Sequence, residues 1–277
     1  FFFLSLITVM GTGASIVAPL AIGWFIVAGE YIGLYSSQTA YIIATAVGLM
    51  LFLGAGFILR GLRKEARVVP SSLLPKNASP LWRKLCAMEF FDGMMDGIEA
   101  VVPLVLILLF LGMEESVGTI QSLTASIAAM VLYTVGRKPR EHREFQLLAI
   151  WAGMTIIGGL ILFTFFQKEG LIAYFLCVGL VRAFRWTSVE SVMYRMIDGH
   201  IQDEEERFAY LLNRELVLDL GRSLSLFLLL VFLQWSPIDV LHMSFIYIIL
   251  LQIPFLILLR MIYVKMSRPL DSSSISR

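Results

Sequence analysis

Four carboxylates recur in one short stretch of the chain. Glu89, Asp92, Asp96 and Glu99 are spaced 3, 4 and 3 residues apart. On a helix that spacing confines them to an arc of about 80°, so the segment has one acidic face. Farther along, Glu215, Asp219 and Arg222 are spaced 4 and 3, and a third apolar stretch carries Arg182 and Arg185. Carboxylates set against guanidiniums away from water have two uses. Fully paired, they order a helical bundle. Lacking a cationic partner, they bind a proton near neutral pH or attract a cationic solute.

The medium around these charges follows from composition. The 277 residues are 58% hydrophobic and only 16% charged, where soluble domains run near ~25% charged. Mean hydropathy is +0.81. Lys+Arg and Asp+Glu nearly cancel, at 22 against 21. This excludes a disordered chain and a nucleic-acid binder driven by bulk positive charge, and it argues strongly against a soluble globular enzyme. Eight apolar stretches have about the 20 residues that a bilayer-crossing helix needs: 1–28, 40–60, 84–111, 117–135, 145–166, 170–194, 208–234 and 238–264. The fold class expected is all-α and integral to the membrane, with about eight transmembrane helices.

The connectors set sidedness. All but two of the 22 Lys+Arg fall at alternate connectors and their helix ends, Lys168 lying on the opposite side and Arg222 within a span. The positive-inside rule makes the basic side cytoplasmic. The chain is therefore expected in the cell (plasma or inner) membrane, multi-pass, with a cytoplasmic C-terminus. Trp24, Trp82, Trp151 and Trp235 fall at span ends, where an aromatic belt would place them. The chain opens on Phe1 without a basic leader, and it reads as a fragment whose first helices lie outside it.

Depth suggests partners for the carboxylates. Glu89 falls near the cytoplasmic end of its span, in reach of water. Asp96 and Glu99 lie about 16 and 21 Å into the membrane at about 1.5 Å per residue. A charge at that depth must be paired or hydrated, so it faces the bundle interior or a wet cavity. Matching depths pairs Glu99 with Arg222, and Asp92 or Asp96 with Arg182. Five acids (Asp92, Asp96, Glu99, Glu215, Asp219) against three bases (Arg182, Arg185, Arg222) leave two carboxylates without a cation. Gly93 and Gly97, four apart, permit a close helix crossing, and Pro103 can kink the same helix. Cys86 and Cys177 sit in apolar runs, and His142, His200 and His242 are scattered, so no metal centre or cofactor is expected.

The connector 61–83 is the longest and carries Pro70, Pro75 and Pro80. It reads as a linker between two helices (1–60) and six (84–264), with a tail at 265–277. Six spans after a basic linker, with a short basic loop at Gly136-Arg137-Lys138-Pro139-Arg140-Glu141-His142-Arg143 between the second and third, resemble the C-terminal half of a major facilitator superfamily transporter. In the first span, Ala18-Pro19-Leu20-Ala21-Ile22-Gly23 is similar to the Gly-Pro-x-x-Gly-Gly pattern in the fifth helix of many export members, with Ala18 and Ile22 replacing glycines.

The resemblance implies a secondary active transporter rather than an enzyme. It would move a small solute by alternating access, proton-coupled, with efflux one open direction. The first and fourth helices of the six-helix bundle would line the substrate path. Asp92, Asp96, Glu99, Arg182, Asp219 and Arg222 would then serve substrate and proton, and Gly136, Arg137, Arg140 and Arg143 would gate. The implied partners are the lipid bilayer, a small-molecule substrate with H+, and the missing N-terminal helices. Met and aromatic side chains such as Phe90, Met94 and Trp186 would suit a lipophilic, cationic compound. Two alternatives stay open: a lipid-modifying membrane enzyme using the Asp92 and Asp96 carboxylates, and a membrane protein without transport.

Overall fold

The computed structural model describes residues 2–62, 75, 78–112, 114–136, 143–200 and 204–266. Within them the chain folds as eight helices: α1 (Phe2–Tyr31), α2 (Ser37–Leu62), α3 (Pro80–Leu111), α4 (Glu114–Gly136), α5 (Arg143–Thr164), α6 (Lys168–His200), α7 (Glu204–Leu233) and α8 (Pro237–Met266). In lipid every backbone N–H and C=O must be satisfied within the segment, which is why long apolar runs become continuous helices. Six of the eight, α2, α3, α5, α6, α7 and α8, are long and apolar enough to cross a bilayer; α1 contributes a shorter apolar run, Ile16–Tyr31. The chain is thus all-helical and multi-pass by the length and composition of its helices.

Local chemistry sets the boundary that matters most. Ser79 caps α3 by accepting from the Trp82 amide at 3.1 Å, and Pro80 occupies its first turn. Proline suits that position because its missing N–H has no partner to lose there. The helix therefore starts four residues before the apolar run that begins at 84, and the last residues assigned to the linker are already helical. Most of 61–83 lies outside the described residues, as does the tail beyond 266. At its other end α3 stops at Gly112, in the left-handed region (φ 70°), whose N–H reaches the Leu108 carbonyl.

Helix α3 is the centre of the bundle and packs against α7, α8, α4 and α6. Its crossing with α7 is backbone against backbone. A Cβ on Gly93 would sit 2.1 Å from the Leu218 carbonyl oxygen, and one on Gly221 would sit 2.3 Å from that of Phe90. At Gly97 a Cβ would meet Ser225 Oγ at 2.4 Å. Helix α5 packs on α6 and α8, and α6 on α4. The pair α1–α2 joins this assembly through α1 on α4, where Ser122 donates to the Ile16 carbonyl and Gly118 meets Pro19. Helix α2 presents Met50, Leu51, Phe52 and Phe57 outward, as lipid-facing side chains would be.

The tryptophan belt needs correction. Trp24 and Trp235 are exposed, but Trp82 and Trp151 are buried inside the bundle. Trp82 donates to Asn213 Oδ1 at 3.0 Å, and Trp151 packs on Phe255. Trp82 still stands at the start of α3 and is covered by Tyr210 and Asn213 of α7, whereas Trp151 lies about two turns into α5.

Candidate functional site: a charged cavity beside the acidic face of α3

Three helices supply the charges. The acidic face of α3 turns toward α6 and α7, because Gly93 and Gly97 on its neighbouring face let α7 approach closely. Arg185 of α6 lies across that face. Its Nε meets Asp92 Oδ1 at 2.7 Å, and its Nη1 lies 3.2 Å from Glu99 Oε2 and 3.6 Å from Asp96 Oδ1. Nη2 donates to the Asp92 carbonyl at 2.9 Å. The guanidinium stacks on Trp151, 5.2 Å from the ring centre. Arg222 of α7 takes the other side of Asp96 at 2.8 Å and holds Asp219 at 2.9 Å.

A second cluster sits one turn toward the start of α3. Arg214 of α7 binds Glu89 at 3.0 Å, Glu190 of α6 at 2.8 Å and Glu215 at 2.8 Å. Trp186 faces this guanidinium at 5.7 Å. Glu89 is fully buried, so the expectation that it touches water is wrong. It stands about 14 Å into α3, because the helix starts at Pro80.

These contacts revise the sequence-based pairing. Glu99 pairs with Arg185, not Arg222. Asp92 and Asp96 are met by Arg185 and Arg222, not by Arg182. Each of the five acids has a guanidinium within 4 Å, one of them from Arg214, a buried residue rather than a helix-end charge; the excess of carboxylates persists as sharing, three of them on Arg185 and three on Arg214. Depth along the axis gave the level of each charge but not its direction around the helix. Arg182 and Arg185 differ by about 60° in direction, and that angle decides which one reaches α3. Of the gating loop, Arg137 and Arg140 lie outside the described residues, and Gly136 and Arg143 are described only as helix ends.

The network borders a cavity of about 690 Å³. Asp96, Glu99 and Pro103 of α3, Gln121, Thr124 and Ala128 of α4, Tyr174, Arg182 and Arg185 of α6, Arg222 of α7 and Pro19 of α1 are among its walls. Asp92 lies behind Arg185, and Asp219 lies outside the lining. Pro103 removes the N–H that would bond the Glu99 carbonyl. Among the described residues, Glu99 Oε1 and the Tyr174 hydroxyl are buried without a hydrogen-bond partner. Two features could not be read from the sequence: Tyr174 as a polar group of the cavity, and the Arg214 cluster. The presence of a tyrosine among apolar residues gave no direction, and Arg214 looked like one more topology charge. Asp92 Oδ1 and both carboxylate oxygens of Asp96 lie within 4 Å of guanidiniums, and no group of three metal-type donors occurs among the described residues.

Among the described residues the chain is thus all-helical, with six helices long and apolar enough to cross a membrane and a charged cavity between α1, α3, α4, α6 and α7. No family model matches it, and no solved structure matches it. It is similar to the uncharacterized protein YqgE of Bacillus subtilis (strain 168), at 24% identity over 248 residues. The match covers 86% of this chain and 56% of that protein, so the chain spans little more than half the length of that relative.

Proposed function

We propose that the chain forms part of a secondary active membrane transporter resembling the major facilitator superfamily. In this reading all eight helices span the membrane and α3–α8 form the C-terminal bundle. A small solute moves by alternating access, coupled to protons, across the plasma or inner membrane with the C-terminus in the cytoplasm. The observation that carries the reading is the cavity. A space of about 690 Å³ is within the range of small-molecule sites, and its walls hold charges that apolar helices do not keep without use. Helices α3 and α6, the first and fourth of the six, supply most of its charged wall, as the resemblance implies.

The roles follow from position. Glu99 and Asp96 face the cavity and also touch Arg185 and Arg222. A proton arriving on either carboxyl weakens its ion pair and loosens α3 from α6 or α7. Proton binding is thereby linked to helix movement, which coupling requires. Arg185 positions the carboxylates, and Asp219 anchors Arg222. The test uses the full-length protein in proteoliposomes with a panel of labelled small solutes and an imposed pH gradient. Glu99→Gln and Asp96→Asn are expected to abolish the pH-dependent part of flux. Flux with unchanged pH dependence in both variants would remove these residues from the mechanism.

A further inference from the structure

We infer that the cavity receives the anionic group of a water-borne solute, of carboxylate, phosphate or sulfonate type, and that Arg182 holds it. This names the substrate class of the transport site proposed above and rests on that reading.

Three guanidiniums line the cavity, and two are committed. Arg185 faces three carboxylates and the Asp92 carbonyl. Arg222 is held by Asp96 and Asp219. Arg182 is exposed, lines the cavity, and among the described residues has no carboxylate within 4 Å. It lies within electrostatic range of Glu99 and Tyr174, but Glu99 gives its short contact to Arg185. A guanidinium in a span is costly unless hydrated or paired, and its planar fork of donors matches carboxylate and phosphate oxygens. Arg182 is therefore the guanidinium of the cavity wall that is left to meet an anion, beside carboxylates that Arg185 and Arg222 already hold.

A second observation points the same way. Tyr174 is 2% exposed and is a lining residue of the cavity, and its hydroxyl is buried without a hydrogen-bond partner among the described residues. Its hydroxyl is not spent on a protein partner, and a turn of the side chain into the cavity would let it donate to an anion oxygen held by Arg182. The α4 wall offers Ala125, Ala128 and Ala129, small apolar side chains suited to the body of a solute. The cationic substrate expected from the sequence would meet Arg182 as a repelling charge.

The test is a charge-selective labelling rate. Cys86→Ala, Cys177→Ala and Ala128→Cys are combined in the full chain, in nonionic micelles. Reaction of residue 128 with anionic sulfonatoethyl and cationic trimethylammonioethyl methanethiosulfonate is measured, each rate divided by that with 2-mercaptoethanol. The anionic reagent is expected to be favoured about tenfold, and raised salt is expected to reduce that preference. Arg182→Gln should remove the preference, and Arg182→Lys should keep most of it. A preference for the cation, or one that neither salt nor Arg182→Gln changes, would overturn the proposal. Equal rates with both reagents would overturn it too, yet leave the cavity standing. No reaction with either would instead defeat the transport-cavity reading beneath it. Repeating the labelling in phosphatidylcholine and phosphatidylglycerol nanodiscs separates the two sources of an anionic group. A ratio unchanged between them supports a free solute. A ratio lost only in phosphatidylglycerol assigns Arg182 to lipid headgroups and overturns the proposal.

Discussion

Two guanidiniums each collect three carboxylates, and they do so differently. Arg185 takes all three of its partners from one face of α3 and borders the cavity. Arg214 takes one each from α3, α6 and α7 and lies outside the cavity lining. Two of Arg185's partners, Asp92 and Glu99, have side chains only 4% exposed, whereas Glu215 beside Arg214 is 51% exposed. The surplus negative charge at Arg214 reaches the outside of the bundle through Glu215. The surplus at Arg185 faces the cavity, with Arg222 on Asp96 and Arg182 within electrostatic range of Glu99. The same residue types therefore build a fastening between three helices in one place and a charged wall in the other.

The comparison is broken most severely at Arg185. Arg185→Gln should lower the thermal stability of the purified protein by the equivalent of about 3–5 kcal/mol, because it strands buried carboxylates. Adding Asp92→Asn and Glu99→Gln should recover part of that loss; no recovery would mean that lost packing on Trp151, not charge, was responsible. Arg214→Gln should cost about 3 kcal/mol, near the lower end of that range, since only Glu89 of its partners is fully buried. A larger effect at Arg214 than at Arg185 would reverse the assignment of wall and fastening.

Gly93→Ala tests the scaffold that aims the acidic face. The added methyl meets the Leu218 carbonyl at 2.1 Å, a backbone atom that moves only with its helix. A loss of about 1–3 kcal/mol is expected, read as a lower melting temperature. The smallest effect belongs to Arg222→Gln. Its side chain borders the cavity and its partner Asp96 keeps Arg185 at 3.6 Å, so the change should be within about 1 kcal/mol, as for polar contacts between membrane helices.

Much of this molecule is legible in its sequence, and the reasons are physical. Apolar runs interrupted by short connectors can satisfy their backbones in lipid only as helices, so the helix order follows from composition. The acidic face of α3 and the close approach at Gly93 and Gly97 follow from residue spacing alone. What spacing does not carry is the direction of one helix as seen from another. Arg182 and Arg185 stand less than a turn apart along α6, and only the packing of α6 on α4 and α5 settles that Arg185 reaches the carboxylates of α3 while Arg182 does not. Glu89 and Arg214 were misplaced for a different reason. Counting from the edges of apolar runs puts Glu89 in reach of water and Arg214 at a helix end, but α3 begins at Pro80 and α7 at Glu204. Each then lies well inside its helix. The inward position of Trp151 has the same origin, since α5 begins at Arg143.

The central claim is that the acidic face of α3 opens on a water-filled cavity within the membrane, and a cysteine scan along α4 tests it most directly. Single cysteines at 123, 125, 128, 129 and 130, in the full chain lacking Cys86 and Cys177, would be reacted with a water-soluble maleimide in lipid nanodiscs. Ala125, Ala128 and Ala129 line the cavity, whereas Leu123 and Met130 are exposed outside its lining. The account predicts rapid labelling at 125, 128 and 129 and protection by lipid at 123 and 130. Uniform labelling, or labelling at 123 and 130 alone, would contradict it.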